Sequence, residues 1–304
     1  FIDNMERRQF LTTVPALAVL SSFKNIKSEM PISCNTYNWV TFYRRAGKEW
    51  GADVSLDIQE FAKCGITAIE PNIESLEMGK ALLPILKGND IQMPSIYVNS
   101  VLHEEVEVKK SIDFILAIAR FVKPYGTKIL VTNPSPIKWG GTGIKTDAQL
   151  MTQAAALNRL GHLLREIGIT LAYHTHDMEM LAGAREFHHM LQNTEPKNMS
   201  FCFDLHWIYR GSTNSELAVF DVLKMYGDRI VELHLRQSKK GVWQETFSAD
   251  GDIDYQRVAD ELAKRDIRPH LVIEQCIEKD TPEKLDAIAA HKTDFKEVKR
   301  VFKK

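Results

Sequence analysis

The chain has 304 residues, of which 44% are hydrophobic and 26% charged, with a formal net charge of −1. That composition supports a large buried core and excludes fibrous and disordered classes. With acids and bases interspersed, it offers no broad basic field of the kind that binds nucleic acid by counterion release. A small-molecule partner is therefore favoured.

Residues 1–28 differ from the rest. "MERRQFLTTVPALAVLSSF" pairs Arg7 with Arg8 ahead of a short apolar run, which resembles a twin-arginine export signal and predicts a periplasmic protein. Ala16-Leu17-Ala18 offers a cleavage site. The alternative is an amphipathic first helix of a cytoplasmic fold. The apolar run is too short to span a bilayer.

From residue 29 to residue 304 the pattern is a single repeated alternation. Strand-like runs "PISCNTY", "ITAIEPN", "IQMPSIYV", "KILVTN", "ITLAYHT", "MSFCFDL", "RIVELHL" and "HLVIEQC" are β-branched and almost continuously apolar, as parallel strands covered on both faces should be. Between them, segments such as "VSLDIQEFAKC" and "TDAQLMTQAAALNRLGHLLREIG" carry apolar residues at helical spacing. Eight strands alternating with helices over this length predict one (β/α)8 TIM-barrel domain. An open doubly wound sheet would need a glycine-rich turn after its first strand, and "CNTYNWVTFYRR" has none. Cys34, Cys64, Cys202 and Cys276 are scattered singly and read as small core residues.

Active sites of this fold gather at the C-terminal ends of the strands. Those ends carry Asn35, Glu70, Asn133, His174, His176, Glu179, Asp204, His206, His234 and Glu274. A charged group inside an apolar run is costly unless paired or coordinated. Carboxylates and imidazoles without thiolates suit a divalent ion such as Mn2+, Mg2+, Co2+, Fe2+ or Zn2+. The competing reading of each residue alone is a helix cap or a satisfied core hydrogen bonder. His103, His162, His270 and His291 have no visible acidic strand-end partner, and His188 and His189 read as helix-surface or packing residues.

These strand-end motifs resemble the xylose-isomerase-like TIM barrels, the sugar phosphate isomerase/epimerase group that includes endonuclease-IV-type enzymes, inosose dehydratases and ketose 3-epimerases. The fifth-strand motif "YHTHDMEM" is similar to the "YHNHxxEF" pattern of one branch, with Thr175 for Asn and Met180 for Phe. The resemblance implies metal ligands Glu179, Asp204, His234 and Glu274. It further implies proton exchange by Glu179 and Glu274 in an isomerase or epimerase, the cation acidifying the proton α to a carbonyl and stabilising the enediolate. If His174 or His176 is the base instead, β-elimination from a 3-keto-glycoside becomes the alternative; both histidines could also merely orient a ligand. A non-catalytic saccharide-binding barrel is the remaining class.

Substrate contacts are expected from Glu70, Asn133, His206, Arg236, Trp139, Trp207 and Trp243. His234 is followed by Leu235-Arg236-Gln237 where relatives often have x-Lys-Asp, and His206 stands two residues after Asp204 where relatives often have a histidine three after. The nine-ligand zinc set of the endonuclease branch is not recognisable. Asp252 or Asp254 is expected to cap the helix before the last strand. The expected partner is a small-molecule carbohydrate, with a homo-oligomer left open.

Overall fold

A computed structural model describes residues 30–302, so the expectation of an export signal over residues 1–28 lies outside the described residues. Each predicted strand run contains a strand. They are β1 (Ser33–Asn35), β2 (Ala68–Glu70), β3 (Ser95–Tyr97), β4 (Ile129–Thr132), β5 (Thr170–Tyr173), β6 (Met199–Asp204), β7 (Ile230–Leu235) and, last in the chain, β10 (His270–Ile273). All pair in parallel, in the order β2-β1-β10-β7-β6-β5-β4-β3. Isolated parallel bridges Ala68–Gln92 and Asn72–Tyr97 join the two ends, closing the sheet into the expected barrel. Two short strands, β8 (Ser238–Lys239) and β9 (Val242–Trp243), form a hairpin above the barrel. Its turn residues Lys240 and Gly241 both have positive φ, the conformation a two-residue hairpin turn demands.

The helices are α1 (Thr36–Arg45), α2 (Val54–Ala62), α3 (Leu76–Gly88), α4 (Glu105–Val122), α5 (Asp147–Glu166), α6 (Leu181–Gln192), α7 (Leu205–Gly211), α8 (Glu216–Tyr226), α9 (Tyr255–Lys264) and α10 (Ala287–Phe302). Most start where a side chain accepts a backbone N–H: Asn35 caps α1, Asp53 α2, Ser75 α3, Ser215 α8, and Asp254 α9. Thr146 and Gln149 complete a capping box on α5. Asp254 is thus the cap, while Asp252 fastens the hairpin by accepting from Ser238 Oγ, Lys240 N–H and Gly241 N–H. The main core lies between strands and helices, with Ile58, Phe61, Leu157, Phe187 and Val298 among its sealed members.

Because side chains alternate across a strand, positions i and i+2 share the barrel interior. Part of that interior is apolar, a small cluster of Ile129, Val131, Ala172 and Cys202. The rest is polar: Glu70, Glu232, His234 and His270 are all buried. All four cysteines are buried and free. Among the described residues, no helix is long and apolar enough to cross a membrane.

Candidate active site and metal centre

Two residues at strand ends and two just past the ends of neighbouring strands build the centre. Asp204 is the last residue of β6 and His234 the last but one of β7, where the register pairs them directly. Glu274 follows β10, its N–H donating to Leu235 O at 3.0 Å, which seats it beside His234. His174 follows β5, tied by its N–H to Thr132 O and by its carbonyl to Asn133 Nδ2 at 3.0 Å.

The donor atoms of His174, Asp204, His234 and Glu274 lie within 4.8 Å of one another. His234 Nδ1 is 2.5 Å from Glu274 Oε2, and His174 Nε2 is 3.6 Å from Asp204 Oδ2. Both ring nitrogens of His174 are buried with no hydrogen-bond partner, while the ring nitrogens of His234, Asp204 Oδ2 and Glu274 Oε2 make no hydrogen bond of normal geometry and face one another, Arg236 and Glu70. Buried polar atoms are normally satisfied. Two imidazoles and two carboxylates left in that state fit a divalent cation.

The cluster contains three of the four residues that the resemblance implies as ligands, Asp204, His234 and Glu274, and has His174 beside them, while Glu179 lies outside it. β5 ends at Tyr173, and the chain turns through a short 3-10 helix, Met178–Met180, that carries Glu179 aside. Glu179 Oε2 accepts the His176 N–H at 2.6 Å, and the residue lines a cavity shared with Lys145 and Glu186. Burial, aided by Glu186, pushes its carboxyl up to about 7.

Arg236 supplies a positive charge inside the mouth. Its Nε is 2.8 Å from Asp204 Oδ2 and its Nη2 2.6 Å from Glu274 Oε1. Burial alone would raise both carboxyls; Arg236 first, with imidazole neighbours, holds Asp204 below and Glu274 well below the usual range. The guanidinium also lies 5.0 Å from the Trp207 ring and 5.2 Å from the Trp243 ring, stacked in cation–π geometry. Arg210 reaches the same two rings and pairs with Glu278.

His176 stands between Trp139 and Trp207, both at 5.1 Å, and 5.0 Å from His174. Burial, with the nearby His174 and Arg236, drives its pKa well below the ordinary imidazole value, so it is neutral, and its Nδ1 has no partner. His206 Nε2 meets Ser238 Oγ at 2.8 Å, and burial lowers its pKa to about 4. Trp139 is 53% exposed at the rim, whereas Trp243 is buried against His206. Asn133 is fully buried and braces the β5 exit.

The barrel interior holds two further carboxylates. Glu70, expected at the mouth as a substrate contact, lies sealed beneath His234, its Oε1 3.1 Å from His234 Nε2. His270, with no acidic strand-end partner expected, finds a mid-strand one, its Nδ1 2.6 Å from Glu232 Oε2. Glu232 itself escaped notice, although its place two residues before His234 in an apolar strand puts both on one face.

The sequence model of the family described as xylose isomerase-like TIM barrel matches residues 58–295. An inosose dehydratase of Mesomycoplasma hyopneumoniae is 26% identical over 255 residues, spanning 74% of this chain and 83% of that protein. A sugar phosphate isomerase/epimerase from Parabacteroides distasonis superposes with TM-score 0.66 at 17% identity, covering 93% of this chain and 97% of that one. The D-allulose 3-epimerase of a Methylomonas species, solved with D-allulose, gives TM-score 0.66 at 14% identity, covering 90% and 97%.

Proposed function

Because the chain belongs to the xylose isomerase-like TIM-barrel family, we propose that it is an enzyme of the lyase type, removing the proton beside the carbonyl of a keto-sugar or keto-cyclitol and expelling a β-oxygen. The observation that carries this reading is the centre formed by His174, Asp204, His234 and Glu274, beside the neutral, unpartnered imidazole of His176. A divalent cation held by those four residues would supply Lewis acidity toward a substrate carbonyl and its neighbouring hydroxyl.

The chain's own groups account for the rest. His176 takes the α-proton at Nδ1; the C–H electrons form the new C=C bond as the β C–O bond breaks. The departing oxygen leaves as water or an alcohol with the proton returned by the same imidazole. Arg236, fixed by Asp204 and Glu274 and stacked on Trp207 and Trp243, orients a substrate oxygen. Trp139 and Trp207 flank the base and offer ring faces to a sugar.

Isomerisation or epimerisation on the same centre is the second reading, supported by the carboxylate of Glu274 in the mouth. An exchange between two glutamates would require Glu179 as well, and its carboxylate is engaged with the His176 N–H. The deciding experiment incubates Mn2+-loaded protein in D2O with an inosose, a 3-keto-glucoside and a ketohexose, followed by NMR. Loss of water or aglycone, slowed about 10²- to 10⁴-fold in His176→Gln, is expected. Deuterium gained on an intact skeleton would overturn elimination in favour of epimerisation. No reaction with any of the three would leave a saccharide-binding barrel.

A further inference from the structure

Beneath the four donors lies a second polar layer that the proposed reaction does not use. Ser33 Oγ and His270 Nε2 are 2.9 Å apart, and His270 Nδ1 is 2.6 Å from Glu232 Oε2. Glu232 Oε1 is 3.5 Å from His234 Nε2, and Glu70 Oε1 is closer, at 3.1 Å. Glu70 is itself tethered, its Oε1 accepting from Asn35 Nδ2 at 2.7 Å and its Oε2 from Ser95 Oγ at 3.0 Å. Glu70, Glu232 and Ser95 are wholly sealed from solvent.

Carboxylates in a barrel interior are costly to bury, by several kcal/mol each even after relaxation, and branched apolar side chains ordinarily fill that space. Both carboxylates of this layer face His234 Nε2, Glu232 Oε1 also accepting from Cys202 Sγ at 3.7 Å, while the opposite ring nitrogen faces Glu274 in the mouth. We propose that Glu70 is a positioning residue: held by Asn35 and Ser95, it receives the Nε2–H of His234, fixing the ring so that the Nδ1 lone pair points into the four-donor centre. Glu232, braced by His270, guards the same nitrogen from the other side. Carboxylate–histidine pairs of this kind raise the donor strength of a ligating imidazole and fix its tautomer.

The inference rests on the reading that the four donors hold a cation, and the test separates the two. Co2+ binding is titrated calorimetrically and by visible d–d absorption in the parent, Glu70→Gln, Glu232→Gln and Ser95→Ala proteins, alongside melting of each without metal. The parent should bind one Co2+. Glu70→Gln should bind it about 10- to 100-fold more weakly, with a changed d–d spectrum and a metal-free melting temperature close to the parent's. Ser95→Ala, which keeps the carboxylate but loosens it, should fall between, and Glu232→Gln should weaken binding less than Glu70→Gln. A parent that does not bind Co2+ sinks the cation reading itself. Equal affinity and spectrum in parent and Glu70→Gln sink the positioning role alone, and so does weakened binding matched by a collapse in metal-free melting.

Discussion

Replacing Arg236 by methionine keeps the length of the side chain and removes the only guanidinium that touches both Asp204 and Glu274 at the described centre. The two carboxylates, 0% and 7% exposed, then face each other with their principal cation gone. Breaking a buried pair from one side typically costs about 3–5 kcal/mol, because the remaining charge stays buried. For a domain of this size each kcal/mol moves the melting temperature by roughly 2–4 °C, so a fall of about 6–20 °C is expected at pH 7.5. The sign with pH follows from the carboxyls. Arg236 depresses both folded-state pKa values, so its stabilisation is present above the ordinary carboxylate values and is lost as pH falls below them through the depressed folded ones. The gap between parent and variant should therefore narrow as pH is taken down to about 3. Mn2+ should raise the melting temperature of the variant more than that of the parent, since a divalent ion restores the lost positive charge. Melting curves at both pH values, with and without Mn2+, decide it. A loss below about 1 kcal/mol at pH 7.5, or a larger Mn2+ effect in the parent, would refute the assignment of Arg236 as the cation that balances these carboxylates.

Gly161, in the middle of α5, tests packing against propensity. A Cβ there would stand 1.8 Å from Asn198 O, so the gain of roughly 1 kcal/mol that alanine brings to a helix should be outweighed by strain. With overpacking worth up to about 3 kcal/mol against that gain, Gly161→Ala should melt lower by up to about 8 °C at roughly 2–4 °C per kcal/mol, and a calorimetric scan showing equal or higher stability contradicts the packing account. Asp294 is sealed in α10, with Oδ1 accepting the Phe247 N–H at 2.7 Å and Oδ2 unpartnered. Burial pushes its carboxyl well above the ordinary 3.8. The folded state therefore holds this proton longer than the unfolded chain, and stability is lost as pH rises from the unfolded value toward the folded one. Asp294→Asn should gain in melting temperature relative to the parent between pH 4.5 and pH 8, and a constant difference across that range would show that the side chain does not titrate as described.

The barrel was legible because its signal is repeated: each strand run is apolar, short and followed by a helix start such as Asp53, Ser75 or Thr146. Asp204, His234 and Glu274 could be picked out because each interrupts an apolar run near a strand end. That His174 rather than Glu179 stands with those three in the four-donor cluster was not legible. It depends on the chain leaving β5 at Tyr173 and then turning through the short 3-10 helix Met178–Met180, which residue spacing does not encode. Glu232 and His270 were hidden for another reason. They sit lower in their strands than the mouth, and inspection of strand ends passes over them. The β8–β9 hairpin was missed because its strands are two residues long.

Asp204 has two oxygens with separate duties. Oδ1 accepts the N–H groups of His206 and Trp207, each at 3.0 Å, and so begins α7, while Oδ2 faces Arg236 and His174. A rotation of this carboxylate toward whatever occupies the centre would tug on the first turn of a helix bearing His206, Trp207 and Arg210. The floor of the mouth and its aromatic wall are therefore geared together through one χ angle, and Trp207 emission becomes an optical gauge of events several ångströms below it.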